Sequence, residues 1–212
     1  MQRKADLQPS SRDASLRPAS FDEKDNSVEV IWTTGAPVRR FDRTEGRFYD
    51  EQLIVEDSAI RLGRLNNGAP FLDTHNDFNL SSVIGVVETG SAKLRDGKGY
   101  ARVRLSVAEG HRDIVANIKA GIIMNISVGY RIHKVEKIEG GAGLVPIWRA
   151  VDWEPMELSA VPVPADAGSQ IRGGKRAAEW RAMPCEFRSR SPTDRDVSWM
   201  RMRNANWRLG IR

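Results

Sequence analysis

The chain has 212 residues and a mass of 23.7 kDa, enough for one domain with a hydrophobic core plus additional tail and short of two ordinary domains. Apolar residues make up 40% and charged residues 29%, a globular composition that excludes wholesale disorder. The net charge of +5 sits at one end: residues 173–212 carry ten Lys and Arg against four Asp and Glu, and the remaining 172 residues carry 23 against 24. The basic balance belongs to that tail, so a fold-wide nucleic-acid surface is not expected.

No apolar run approaches the roughly 20 residues that span a bilayer. The polar N-terminus, MQRKADLQPSSRDASLRP, has no apolar secretory segment, so export by that route is not expected. Cys185 is the single cysteine, which excludes an intramolecular disulfide and a cysteine-rich zinc site and fits a reducing compartment.

Residues 1–27 are rich in Ser, Asp, Arg and Pro and read as a flexible leader. From Ser27, SVEVIW reads as a strand, followed by VRRFDR and RFYDEQLIV as two more. VEDSAIRLGRL, residues 55–65, is expected to form a short helix capped by Asp57 or Ser58. SVIGVVETGSAKL and YARVRLSV form a hairpin about Asp96-Gly97, a pair suited to positive φ. AEGHRDIVANIKAG is amphipathic, with Ile114, Val115, Ile118 and Ile122 on one face and Gly121 at its end. From Ile122 to Glu136 the pattern alternates: Ile122, Met124, Ile126, Val128, Tyr130 and Ile132 share one face, and Asn125, Ser127, Gly129, Arg131 and His133 the other. LVPIWRAVDW and MELSAVPV read as two further strands, the second ended by Pro162 and Pro164. The fold class is thus mainly β with a few helices (α+β), and many strands beside few helices predict a closed or strongly curved antiparallel β-barrel. Residues 28–172 form the domain. The Arg-rich tail 173–212, with Trp180, Trp199 and Trp207, lacks clear periodicity and reads as disordered or ordered by a partner.

Standard phosphate, zinc and nucleophile-elbow motifs are absent. Ser127 lies mid-strand on the polar face, where Asn125 and Gly129 leave room for an extended peptide; a serine becomes a nucleophile only beside a base. Among three histidines, His75 in PFLDTHND has the best setting, at a strand end. Its plain alternatives are a loop histidine bonded to Asp73 or Asp77, or a metal ligand with those two residues, which lacks further ligands. His111 opens a helix, and His133 is about 20 Å from Ser127 along the strand at ~3.3 Å per residue. Glu157 and Glu154 both remain candidates for the acid that orients the histidine. Cys185, in the tail, is a poor nucleophile candidate.

The order PFLDTH, NLSSVIGVV, GHRDIVANIKAGIIMNISVGY, WEPMELSAVPVPADAGSQI resembles the prohead (capsid-maturation) proteases of tailed bacteriophages, a family related in fold to the herpesvirus assemblins. The resemblance covers about residues 28–171. It implies an assemblin-like fold and a serine endopeptidase with His75 as general base, Ser127 as nucleophile and Glu157 as third member, Glu154 being the fallback. Ala160 stands where the family often has leucine, and the second histidine that assemblins use has no counterpart on the Glu157 strand. The resemblance further implies cleavage of scaffold protein, of a scaffold-like segment of the major capsid protein and of the enzyme itself, inside the immature capsid in the host cytoplasm. A homodimer is possible and no cofactor or metal is expected. The rival readings are an inactive scaffold or assembly protein, and nucleic-acid binding through the tail 173–212.

Overall fold

A computed structural model describes residues 3–7, 10–16, 20–141, 143–162 and 183–208. Its backbone is dominated by two 14-residue strands that pair antiparallel, β10 (Asn125–Ile138) and β11 (Ile147–Ala160). Ten shorter strands surround them: β1 (Arg3–Leu7), β2 (Ser10–Leu16), β3 (Ser27–Thr33), β4 (Val38–Asp42), β5 (Arg47–Leu53), β6 (Pro70–Asp73), β7 (Val83–Val87), β8 (Lys93–Arg95), β9 (Lys98–Leu105) and β12 (Met183–Arg190). Helices α1 (Arg112–Lys119) and α2 (Asp194–Arg208) complete the described chain, with short 3-10 turns in the loops.

The sheet runs in the order β1-β12-β10-β2-β3-β9-β7-β6-β11-β5-β4, with β8 on β9 and the β10–β11 pairing in addition. This corrects the expected closed or strongly curved antiparallel barrel: the sheet ends in edge strands β1 and β4 and is neither closed nor strongly curled. It is also mixed. Strand β12 lies parallel to β10, and β5 and β6 both lie parallel to β11. Parallel neighbours need long crossovers rather than hairpins, a pairing choice that the alternation of each strand taken singly does not encode. The mainly β content with few helices is as expected.

Local chemistry explains most elements. Asp96 and Gly97 take φ of 52° and 68°, the doubly left-handed geometry of the tight turn that joins β8 to β9. In β9, Ala101, Val103 and Leu105 are buried while Arg102 and Arg104 lie on the wetter side. Helix α1 buries Val115 and Ile118 and ends at Gly121, whose φ is +69°. Ile122 then stands 71% exposed, and β10 starts three residues later than the alternation suggested.

Residues 55–65 form no α-helix, and only Leu65 enters a 3-10 turn, Leu65–Asn67. The main chain there bridges to the long hairpin instead: Arg61 N–H donates to Trp153 C=O, and Trp153 N–H to Ala59 C=O, each at 2.9 Å. Burial of Ala59, Ile60 and Leu65 outweighs the local helical preference.

The two strands expected from LVPIWRAVDW and MELSAVPV are one strand that continues through Pro155. Tyr130 pairs with Pro155 and Gly129 with Glu157, which leaves Met156 as the extra residue of a β-bulge. The core centres on Trp153, whose ring meets Trp32 edge-on at 6.0 Å and Tyr130 at 5.8 Å, and whose Nε1–H donates to Ile54 C=O.

The segments read as leader and tail contain β1 and β2, and β12 and α2, respectively. Pro164 and Trp180 lie outside the described residues. Helix α2 seats Met200 against Ile138 and Ile147 at the far end of the hairpin. Its start is a capping box: Thr193 and Asp196 hydrogen-bond reciprocally, and Asp196 also accepts from Arg190.

Candidate functional site

Strand register assembles the site. Ser127 lies directly across from Ser159, and Gly129 across from Glu157, so all four share one face of the β10–β11 pair. In an unbroken strand, residues 154 and 157 would face opposite ways. The extra Met156 restores parity, and Glu154, opposite Arg131, falls on the face that carries Glu157.

Strand β6 lies on the other side of β11, with Leu72 paired to Ser159 and Asp73 to Ala160. Immediately beyond it Thr74 and His75 both take left-handed backbone, φ 51° and 59°. Two consecutive non-glycine residues in that region are uncommon and need tertiary support. Here Thr74 N–H donates to Ala160 C=O at 3.0 Å and His75 N–H to Ser159 Oγ at 3.1 Å. The reversal sets the imidazole against the carboxylate: His75 Nδ1 and Glu157 Oε1 are 2.6 Å apart. Glu157 is 3% exposed, whereas the His75 side chain is 29% exposed and open to solvent on one side.

Ser159 was not singled out by the sequence, and it occupies the centre of this arrangement. Its hydroxyl donates to Glu157 Oε2 at 2.6 Å while accepting from His75 N–H. One fully buried side chain thus fixes both the second carboxylate oxygen and the backbone that carries the imidazole. Its period-two relation to Glu157 within MELSA was the available signal.

Gly129 has a different use from the one the sequence suggested. A Cβ built there would lie 2.1 Å from Glu157 Oε1 and 2.9 Å from its Cδ. The space left by the missing side chain is filled by the carboxylate, not kept for a peptide.

Ser127 is 1% exposed, and its Oγ makes no hydrogen bond among the described residues. The structure therefore joins His75 to Glu157 directly and sets Ser127 beside them through the Ser127–Ser159 register, with no Ser127–His75 hydrogen bond formed. Glu154 lies with the other strand histidine, 3.5 Å from His133 Nε2. His111 is bonded to Ser106 Oγ and to Ser81 C=O. Asp73 and Asp77 are not hydrogen-bonding partners of the His75 ring, and among the described residues no three His, Cys, Asp or Glu converge as metal ligands.

A carboxylate accepting from Nδ1–H leaves the lone pair of the imidazole on Nε2. Such a ring can take a proton from a hydroxyl and hold the resulting charge against Glu157. The chemical capacity is general-base activation of a serine.

The model of the family described as caudovirus prohead serine protease matches residues 59–183, a span that includes His75, Ser127, Glu157 and Ser159. The chain is 34% identical over 137 residues to the major capsid protein of Halomonas phage phiHAP-1, covering 63% of this chain and 21% of that protein. It is 39% identical over 59 residues to the capsid polyprotein of Pseudomonas phage PAJU2, covering 28% of this chain and 8% of that one. The chain thus spans about a fifth or less of the length of these curated relatives. No solved structure matches.

Proposed function

The chain belongs to the caudovirus prohead serine protease family, and from that premise we propose that it is an endopeptidase of capsid maturation in which Ser127 attacks, His75 is the general base and Glu157 orients the imidazole. The 2.6 Å contact between His75 Nδ1 and Glu157 Oε1, made beside a buried serine whose hydroxyl has no hydrogen-bond partner among the described residues, carries this reading.

In the first step His75 Nε2 removes the Ser127 proton as Oγ adds to the scissile carbonyl carbon. The imidazolium that forms is held by the buried Glu157 carboxylate. Collapse of the tetrahedral adduct expels the amine, which takes the proton from Nε2. Water, activated by the same nitrogen, then adds to the acyl-enzyme and releases the acid. The acid role falls to Glu157 rather than Glu154, because Glu157 reaches His75 while Glu154 lies against His133.

Capsid-linked chains are the proposed substrates: scaffold protein, or a scaffold-like segment of the major capsid protein, together with the protease itself. Support comes from the two relatives that carry a similar stretch and are named as a major capsid protein and a capsid polyprotein. The proposed place of action is the interior of the immature capsid. Of the rival readings, nucleic-acid binding through the tail has less support. Arg190 is paired with Glu136 and Asp196, and Arg203 lies 3.8 Å from Asp50. Co-expression with the cognate scaffold and capsid proteins, followed by intact-mass analysis, tests the reading. Wild type yields discrete processed fragments and Ser127→Ala yields none, whereas equal processing by both excludes Ser127 as nucleophile.

A further inference from the structure

Ser127 is on a strand whose neighbour on the side away from β11 is this chain's own N-terminal segment. Strand β2 runs antiparallel to β10 over six consecutive pairs, from Asn125 opposite Ser15 to Tyr130 opposite Ser10, and Asp13 stands opposite Ser127. Beyond this stretch β12 takes over as a neighbour of β10 at Lys134–Ile138. On its other side β2 makes only two pairs with β3, Ser15 with Ile31 and Leu16 with Val30.

The occupant is a poor strand by composition. SSRDASL has no β-branched or aromatic residue, in contrast to the SVEVIWT of β3. Its pairing with β10 is made of main-chain hydrogen bonds. Those are the bonds by which any extended peptide adds to a sheet edge, whatever its side chains. The nucleophile candidate on the covered strand is buried, and its hydroxyl has no hydrogen-bond partner among the described residues.

We propose that the Asn125–Tyr130 edge of β10 is the docking site for an extended substrate chain, added antiparallel, and that Ser10–Leu16 is an internal occupant of that site which a substrate must displace. The proposal rests on the reading of Ser127 as the nucleophile. The tether keeps the occupant at a high effective concentration, so it lowers the fraction of molecules able to accept a substrate.

Two full-length variants test this, both made with Cys185→Ser. The first carries Asp13→Pro and Ala14→Pro, adjacent positions chosen so that a donor is lost on each side of the strand. The second carries Ser15→Cys and Asn125→Cys, a directly opposed pair whose oxidation locks β2 in place. Directly opposed residues of antiparallel strands have Cα atoms about 4.5–5.5 Å apart, within disulfide range. The readouts are amide hydrogen exchange over residues 125–130 and the rate at which a fluorophosphonate probe adds to the protein, followed by intact mass.

The expected results are faster exchange over 125–130 and at least tenfold faster labelling in the proline variant. In the cysteine pair, labelling is at least tenfold slower when oxidised and recovers on reduction. Equal labelling of oxidised and reduced forms, with Ser127→Ala unlabelled, overturns the docking proposal and leaves the nucleophile in place. Labelling unchanged by Ser127→Ala, or absent from every form, overturns the nucleophile and the proposal with it. Because the cysteine pair is compared with itself, the outcome stands even if the proline variant fails to fold.

Discussion

Gly129→Ala is the smallest change that should disable the site while leaving the fold intact. The added Cβ would lie 2.1 Å from Glu157 Oε1, so the oxygen must retreat by about 1 Å merely to reach the distances that real Cβ atoms keep. That oxygen is the one 2.6 Å from His75 Nδ1, and its partner Oε2 is tied to Ser159. A misplacement of about 1 Å in a catalytic group costs on the order of 100-fold in rate. The stability effect is smaller. Loosened hydrogen bonds to a buried carboxylate cost roughly 1–3 kcal/mol, and replacing glycine within a strand recovers part of that. The assay is fluorophosphonate labelling of Ser127 and processing of co-expressed capsid protein, with melting followed in parallel. Shortening the acid should relieve the clash, so Gly129→Ala combined with Glu157→Asp is expected to recover activity relative to Gly129→Ala alone. Labelling of Gly129→Ala within threefold of wild type would refute the argument that the missing side chain exists to house the carboxylate.

Ser159→Ala strands Glu157 Oε2 and His75 N–H together; a loss of about 2–3 kcal/mol in chemical denaturation and at least tenfold slower labelling are expected. Glu157→Gln should reduce labelling by 100-fold or more, while Glu154→Gln, at the His133 contact, should leave it within about threefold; the reverse order would move the acid role to Glu154. Burial raises the Asp196 carboxyl, but hydrogen bonds from Arg190 and Thr193 outweigh it and bring the group down from 3.8 to about 2. Because the folded value lies below the unfolded one, its stabilisation of α2 is complete above about pH 4 and fades as the pH falls toward 2. Hydrogen exchange within α2 should show this acid sensitivity in wild type but not in Asp196→Asn.

The site was half legible. His75 at the end of an apolar run and Ser127 on the polar side of an alternating strand are local patterns, and the order of the motifs pointed to the family. Choosing between Glu157 and Glu154 was not a local matter. The single extra residue Met156 puts both carboxylates on one face, and only the cross-strand partners distinguish them. Ser159 was hidden for a related reason: a serine in an apolar strand is unexceptional until its hydroxyl is seen between a carboxylate and a left-handed backbone. The helical pattern of 55–65 does not become an α-helix because Arg61 N–H and Ala59 C=O bond instead to Trp153, nearly 100 residues away in the chain.

By itself the sequence determined the mainly β character, the turn at Asp96-Gly97, and helix α1 with its stop at Gly121, because each depends on side chains within a few positions of one another; it marked His75 and Ser127 only as candidates. The tertiary structure alone decided that the sheet is mixed and open-edged, that Glu157 is the acid His75 meets, and that β2 lies against the Ser127 strand. Those outcomes depend on which main-chain donors meet which acceptors across long stretches of chain. Every strand offers the same hydrogen-bonding groups, so partner choice is settled only when the whole sheet forms.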